Sequence, residues 1–127
     1  MKVIKIPYIT ELPCSVHEVC EPENENCLDE LKELIGIEWA EIVLTRIKGE
    51  DPRRDYCMIL DGVGKLKDGW TKQINWRASF LYAGTAHGDP IVGDVVLSAR
   101  EWTERFGECD LAGLTDLEEM QILNLIS

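Results

Sequence analysis

The order of hydrophobic patterns along the chain most limits what it can fold into. Segments with the alternation typical of strands are interspersed with segments whose apolar residues recur at helical spacing. Strands are predicted at 2–6, 15–20, 37–47, 55–60, 65–67 and 95–97, and helices at 26–35, 75–83, 99–106 and 116–126. Because this order lacks a regular strand–helix alternation, it predicts an α+β fold: an antiparallel or mixed sheet of about five strands with helices packed on it, plus C-terminal helices.

Residues suited to capping mark the ends of the predicted helices. The capping pairs are Asn26 with Asp29, Ser98 with Glu101 and Thr115 with Glu118, and the stop signals are Gly36 and Gly107. Asn75 is suited to cap the helix that follows it. In that helix Trp76 and Phe80 are four residues apart, so both are predicted to pack on the core. Val95–Leu97 is predicted to be a buried strand.

The length of the chain favours a single domain over residues 1–127, with an α+β core at 1–97 and a helical extension at 98–127. No apolar run approaches the roughly 18 residues of a membrane helix, and the N-terminus lacks the cleavage site of a secretory signal. The sequence therefore predicts a cytoplasmic protein without a membrane partner. Five cysteines are an odd number, which favours reduced thiols over a disulfide framework.

Charge is distributed unevenly in this acidic chain, whose formal net charge is −11. Residues 11–33 carry eight acids and one base, and residues 101–127 carry seven acids and one base. Residues 45–77 carry eight bases and five acids. Direct binding of nucleic acid is not expected, because phosphate contacts need clustered Lys and Arg. A mildly basic middle is instead able to face a small anionic ligand, although solvation of exposed faces is the simpler interpretation.

The candidate binding surface is the stretch 70–97 together with the two lysines just before it, Lys65 and Lys67. Aromatic rings stack on bases while Lys and Arg meet phosphates, and this part of the chain mixes both residue types. After the residues predicted to be core are removed, the candidate ligand-binding residues are Lys65, Lys67, Lys72, Asn75, Arg77 and His87. The expected ligand is a nucleotide-like anion, and no cofactor is expected.

Four soft ligands near the N-terminus raise the question of a metal site. Cys14, His17, Cys20 and Cys27 have the spacing C-x2-H-x2-C-x6-C and are numerous enough for tetrahedral zinc. If residues 15–20 form a strand, however, His17 points away from the face that carries Cys14 and Cys20. We therefore predict no metal site, while a loop or helix at this position would restore one.

Catalytic signatures are weak throughout. Cys57 lies in an apolar strand and Cys109 lies between two acids, and neither position favours a thiolate. His87 and Asp89 form a possible acid–base pair in a glycine-bearing loop, but nothing nearby supplies a nucleophile. The sequence predicts a protein that is not an enzyme, with a small hydrolase using His87 and Asp89 as an alternative.

Several short motifs together resemble a small family of unknown function that is common in Gram-positive bacteria, their phages and conjugative elements. They are Asn75-Trp-Arg-Ala78, Leu81-Tyr82, Asp89-Pro-Ile-Val-Gly-Asp-Val-Val-Leu97 and Met58-Ile-Leu-Asp-Gly-Val-Gly-Lys-Leu-Lys67. The similarity spans about residues 1–97 and implies a mobile-element accessory protein, without catalytic residues to carry over. The chain departs from the pattern in its cysteine-bearing segment before the first helix and in its acidic tail after Leu97.

Three functional hypotheses follow. The first is a non-enzymatic phage or mobile-element protein, in the host cytoplasm if phage-encoded, that acts on host defence or regulation by sequestering a nucleotide-like ligand or masking a host protein. The second is an acidic mimic of DNA that inhibits a restriction, CRISPR or other nucleic-acid enzyme. The third is the small hydrolase. The last predicted helix has apolar residues at 120, 122, 123, 125 and 126, and these offer a surface for homo-oligomerisation.

Overall fold

A computed structural model describes residues 1–19, 27–49, 51–82, 90–103 and 108–126. In this part of the chain the strands are β1 (Lys2–Ile6), β2 (Ser15–Glu18), β3 (Ala40–Lys48), β4 (Arg54–Asp61), β5 (Val95–Thr103) and β6 (Glu108–Ala112). The helices are α1 (Cys27–Ile35), α2 (Trp76–Leu81) and α3 (Asp116–Ile126), with short 3-10 helices at Gly64–Leu66 and Trp70–Gln73. The predicted α+β fold is confirmed.

All described strands belong to one antiparallel sheet of order β2-β1-β5-β4-β3, with β6 paired to β5. The central strand β5 is long enough to have two neighbours along one edge. Its first half pairs with β1, with Ile4 opposite Leu97, and its second half pairs with β6, with Ala99 opposite Ala112. Alternating side chains on β4 and β5 are buried on both faces, because helices cover both.

One face of the sheet carries α2 and α3, and the other carries α1. Ala78 and Leu81 of α2 and Ile122 and Ile126 of α3 pack on one side of the sheet, where the buried strand residues include Ile4, Ile6, Met58, Val95 and Leu97. On the opposite side Cys27 and Leu31 of α1 pack on Val3, Cys57, Ile59 and Val96. The burial of Val95, Val96 and Leu97 confirms that this segment is core strand.

The capping signals are confirmed at three described helix ends. The backbone N–H of Thr115 donates to Glu118 at 2.9 Å while the N–H of Glu118 donates to the Thr115 hydroxyl at 3.1 Å, as in a capping box. Gly36 ends α1 with a positive φ of 68°, and Ile37 N–H donates to the Lys32 carbonyl at 3.0 Å. Asn75 caps α2. Asn26 lies outside the described residues.

Two predicted elements are wrong. The helix predicted at 99–106 is the second half of β5 as far as Thr103, and residues 104–107 lie outside the described part. Ser98 is completely buried and its hydroxyl donates to the Ala112 carbonyl at 2.9 Å, so it caps no helix. The return strand predicted at 65–67 is instead the 3-10 helix Gly64–Leu66. Strand β6 was not predicted.

A polar network fixes α3 to the sheet. The Glu118 carboxylate accepts hydrogen bonds from Arg54 Nη2 at 2.7 Å and from the Tyr56 hydroxyl at 2.6 Å. Arg54 Nη2 also donates to the Gly113 carbonyl at 2.9 Å. Burial tends to raise the pKa of Glu118, but the hydrogen bonds from Arg54, Tyr56 and Thr115 outweigh it and lower the pKa to about 2. Glu118 is therefore ionised, and its charge is matched by Arg54.

None of the helices in the described residues is long and apolar enough to cross a membrane.

Candidate functional site

A groove opens at one end of the sheet, on the side that carries α2. It has a volume of about 310 Å³ and lies between the start of β3, the end of β4, the 3-10 helix at 64–66 and the segment 90–92. Its lining residues are Glu41, Val43, Leu60, Asp61, Gly62, Lys65, Leu66, Tyr82, Pro90, Ile91 and Val92. This volume falls at the lower end of the range for small-molecule sites, roughly 300–1,000 Å³.

Two other recesses in the described part of the chain are smaller. One, of about 170 Å³, lies on the far side of Asp61 and is bordered by Lys67, Gln73 and Asp94. The other, of about 240 Å³, lies between α3 and the hairpin of β3 and β4. Both fall below the usual size of a site for a metabolite. The groove beside Tyr82 is therefore the candidate functional site.

The groove combines an apolar wall with charged groups at its rim. Val43, Leu60 and Ile91 supply aliphatic surface. Lys65 is exposed. Asp61 accepts a hydrogen bond from Lys67 Nζ at 2.7 Å and another from the backbone N–H of Val63 at 3.1 Å, so its charge is already balanced. An apolar wall with a few oriented polar groups is the usual composition of a small-molecule site.

Backbone pairing holds the walls of the groove in place. Ile74 pairs with Val92 in an isolated antiparallel bridge, and Gly93 N–H donates to the Gln73 carbonyl at 2.7 Å. Thr45 and Tyr82 form a second bridge between β3 and the end of α2. The first bridge attaches the segment before α2 to the segment before β5, and the second attaches the end of α2 to the edge strand β3. The groove is therefore preformed, which reduces the entropic cost of binding.

Asn75 builds the site but does not contact its opening. Its side chain is fully buried, accepts a hydrogen bond from Ala78 N–H at 3.0 Å, and donates to the carbonyls of Ile6 and Gly93 at 2.9 Å each. Every polar atom of the amide is thus used in connecting α2, β1 and the segment before β5. The prediction that Asn75 contacts ligand is not supported, because no polar atom of its side chain remains available.

The other predicted binding residues divide among three positions. Lys65 lines the groove, and Lys67 is paired with Asp61 at its rim. Lys72 is exposed on the second 3-10 helix. Arg77 donates from Nη2 to the carbonyls of Pro7 at 2.8 Å and Ile9 at 3.1 Å, so its guanidinium holds the segment after β1. His87 lies outside the described residues.

The prediction that Trp76 and Phe80 pack on the core is wrong. Trp76 is 65% exposed and Phe80 is 51% exposed, whereas Ala78 and Leu81 form the buried side of α2. Arg46 of β3 lies over the ring of Phe80, with its guanidinium carbon 4.4 Å from the ring centroid. Trp76, Phe80 and Arg46 form an exposed surface that we term the aromatic–cationic face.

Sequence reasoning missed Tyr82, Val43 and Ile91 as lining residues, although a signal for two of them was present. The motifs that carry the family resemblance include Leu60 to Lys65, Tyr82 and Pro90 to Val92, and these segments line the groove together. Motifs that are distant in sequence thus meet around one opening. Val43 belongs to no motif and is recognisable only from the pairing of β3 with β4.

The four soft ligands near the N-terminus are not brought together as a set. Cys14 packs against the cluster on the α2 and α3 side, while Cys27 is buried under α1 on the other side. His17 pairs with Val3, whose side chain faces α1, and its Nε2 lies 2.7 Å from Ser15 Oγ. Cys14 therefore cannot share an ion with His17 or Cys27, as strand geometry predicts. Cys20 lies outside the described residues, among which no metal-binding group of three occurs.

The thiols of Cys57 and Cys14 are poor nucleophiles. Burial raises the pKa of the Cys57 thiol to about 12 and also raises that of Cys14. A thiol with a raised pKa is protonated at neutral pH, and the thiolate is the reactive form. Neither residue is suited to covalent catalysis. Cys109 and the pair of His87 and Asp89 have no described side chains.

Comparison with known proteins gives a fold and no family. No family model and no curated protein matches the chain. A solved structure of the small RNA methyltransferase HEN1 is similar, with a TM-score of 0.60 and 19% sequence identity. The likeness covers 96% of this chain but only 16% of that chain. At this identity it shows that the arrangement of strands and helices occurs within a larger protein, and it transfers no catalytic residue.

Proposed function

We propose that this protein is a non-enzymatic binding protein whose ligand is a nucleotide-like anion held in the groove beside Tyr82. The observation that carries the proposal is the composition of that groove. A preformed opening of about 310 Å³ has aliphatic residues on its wall and a lysine on its rim. Such an opening buries a planar apolar ring and leaves an anionic substituent at the cation.

The base and the phosphate of a nucleotide each have counterparts in the lining. Val43, Leu60 and Ile91 offer aliphatic contact to a base, and the Tyr82 ring offers an aromatic surface. The carboxylate of Glu41 is a hydrogen-bond acceptor, so it suits an amino group of a base. The Lys65 ammonium suits a phosphate. The resemblance to proteins of phages and conjugative elements supports a role in which the chain sequesters such a ligand from a host defence or regulatory system.

Calorimetric titration with AMP and GMP tests this function. The wild-type protein is expected to bind at least one of them with a Kd below about 1 mM, the level at which binding free energy reaches about −4 kcal/mol. Lys65→Ala is expected to weaken binding about tenfold, because a charge-assisted hydrogen bond contributes roughly 1.5 kcal/mol or more. The matched control is Lys32→Ala on α1, across the sheet. Absence of binding, or equal losses in both variants, contradicts the proposal.

A second function, masking of a host protein, is favoured by a different surface. Trp39, Ile42 and Leu44 are exposed at and just before the edge strand β3. Exposed aromatic and aliphatic residues in a group are typical of protein interfaces. If this function applies, Ile42→Lys abolishes partner binding and leaves AMP and GMP binding unchanged. If the variant also loses nucleotide binding, the exposed residues of β3 stabilise the fold and do not form a separate interface.

Acidic mimicry of DNA has less support from the C-terminal acids. Glu118 is buried and bound to Arg54, and Glu101 lies 3.3 Å from Arg54 Nη1. Asp116 accepts a hydrogen bond from Lys2, and Glu119 lies 3.8 Å from the same ammonium. These carboxylates are matched by bases of the chain, whereas a mimic presents unmatched charges at the spacing of phosphates. The hydrolase alternative depends on His87 and Asp89, which lie outside the described residues.

A further inference from the structure

The two rings of the aromatic–cationic face lie in the longest part of the chain that lacks acids. Residues 69–88 contain no Asp or Glu, although the whole chain has 24 in 127 residues. Within this run Trp76 and Phe80 project from the solvent side of α2, and Arg46 of β3 covers the Phe80 ring. Exposed rings next to a guanidinium are suited to stack on a base while a cation meets its phosphate. The Arg46 guanidinium thus gives this face a cation, in a protein that is acidic overall.

The face and the groove meet at the Thr45–Tyr82 bridge. Tyr82 lines the groove and follows α2 directly, while Arg46 follows Thr45 on β3. Phe80 precedes Tyr82 by two residues. Four residues of α-helix span about 6 Å, so Trp76 and Phe80 lie about one turn apart along α2. Arg46 thus stands at the junction of the two surfaces.

The volume of the groove limits how much ligand it holds. At about 310 Å³ it lies at the lower limit of small-molecule sites, so it accommodates one base with its sugar. A second base of the same ligand must lie outside it. Trp76 and Phe80 are exposed aromatic rings on α2, the helix that leads directly into the groove residue Tyr82.

We propose that the ligand carries two bases joined by a phosphodiester: one base lies in the groove, the other stacks on Trp76, and Arg46, which lies over the Phe80 ring, binds the phosphate between them. This inference rests on the proposed function, and it names the ligand class as a dinucleotide. The guanidinium of Arg46 is already oriented on the Phe80 ring, and its planar donors suit a phosphate. Lys65 then contacts the terminal phosphate of the nucleotide whose base lies in the groove.

Stacking gives the expected magnitude. A base stacked on an aromatic side chain strengthens binding roughly 5- to 140-fold. The dinucleotides pApA and pGpG are therefore expected to bind at least fivefold more tightly than AMP and GMP. Trp76→Ala removes this advantage and leaves the Kd of the mononucleotides unchanged. Trp76→Phe retains most of the advantage, and Arg46→Gln weakens only the dinucleotides.

The experiment is calorimetric titration of four probes, AMP, GMP, pApA and pGpG, into the wild type and the variants, with a six-nucleotide strand titrated into the wild type as a test of ligand length. Trp39→Ala is the matched control, because Trp39 is 67% exposed and Trp76 is 65% exposed, but Trp39 lies before β3 and does not line the groove. Circular dichroism checks that each variant is folded. The control is expected to retain the dinucleotide advantage in full.

The outcomes separate this inference from the proposed function. Equal affinity for mononucleotides and dinucleotides, with both weakened by Lys65→Ala, overturns the two-base ligand and leaves the nucleotide groove standing. Equal losses in Trp39→Ala and Trp76→Ala also overturn the two-base ligand. A further rise in affinity for a six-nucleotide strand refutes the limit of two bases and indicates a single-strand surface. If none of the four probes binds, both proposals fail.

Discussion

Replacing Glu118 by Gln is predicted to loosen α3 from the sheet without changing the size of the side chain. Its carboxylate accepts two hydrogen bonds from Arg54, at 2.7 and 3.1 Å, and one from the Tyr56 hydroxyl at 2.6 Å. Lowering the pKa from 4.5 to about 2 corresponds to roughly 3 kcal/mol, at about 1.4 kcal/mol per pH unit. Because the side chain retains 12% exposure, solvent screening reduces this to about 2 kcal/mol.

The stability contributed by Glu118 depends on pH in a defined direction. A carboxyl group whose pKa is lower in the folded protein stabilises the fold above its unfolded pKa, and this contribution falls as the pH drops through the folded pKa. The difference between wild type and Glu118→Gln is therefore full above about pH 5.5 and shrinks between pH 4.5 and about 2. At pH 7 it corresponds to a fall in Tm of roughly 6–8 °C.

Urea denaturation of wild type and variant at pH 7 and pH 3, followed by tryptophan fluorescence, measures this difference. Glu119→Gln is the matched control, since it removes the same charge from the next residue, whose carboxylate lies 3.8 Å from Lys2 Nζ. The control is expected to change the free energy of unfolding by less than about 0.5 kcal/mol. Equal effects of the two substitutions, or a difference that does not shrink at pH 3, would refute the reasoning.

Three further predictions concern residues that hold the fold. Asn75→Ala removes the cap of α2 and leaves the carbonyls of Ile6 and Gly93 without their donor, so it should lower the free energy of unfolding by about 2–4 kcal/mol. The control Lys72→Ala should leave the free energy of unfolding unchanged. Similar urea midpoints for the two variants would contradict this prediction. Gly113→Ala places a Cβ 2.8 Å from Met1 Cβ and 2.9 Å from the Lys2 nitrogen, so the free energy of unfolding should fall by about 1–3 kcal/mol. Thermal denaturation measures this, and an unchanged Tm would contradict the close packing of the N-terminus against Gly113. Because the pKa of Cys57 is about 12, iodoacetamide at pH 8 should leave this thiol unmodified in the native protein. In urea the same reagent should modify it. Peptide mass spectrometry measures both, and rapid modification of the native protein would show that β4 opens.

Local signals predicted most elements because tertiary packing agreed with them. The alternation of Lys2–Ile6 matches a strand whose two faces meet different helices, and Thr115 with Glu118 caps the helix that the pattern predicts. The same kind of capping pair failed at Ser98 and Glu101. There the apolar run from Val95 continues as a strand, because β4 and β6 both offer backbone partners that outweigh a local cap.

The candidate site was predicted only in part, for a similar reason. The spacing of Trp76 and Phe80 correctly indicates one side of a helix, but periodicity does not say which side is buried. The buried side of α2 is the one that carries the small residue Ala78, which is fully buried against the sheet. Lys65 was found from charge, whereas Tyr82 and Val43 meet only through the bridge between α2 and the edge strand.

Binding of a nucleotide in the groove is the central claim, and amide chemical shifts test it most directly. A ¹⁵N-labelled sample titrated with AMP and GMP is predicted to show saturable shifts concentrated at Lys65, Tyr82, Ile91 and Val92, which line the groove. Amides of α1, on the other face of the sheet, should be unaffected. A titration without shifts, or with shifts that spread evenly over both faces, would contradict the account.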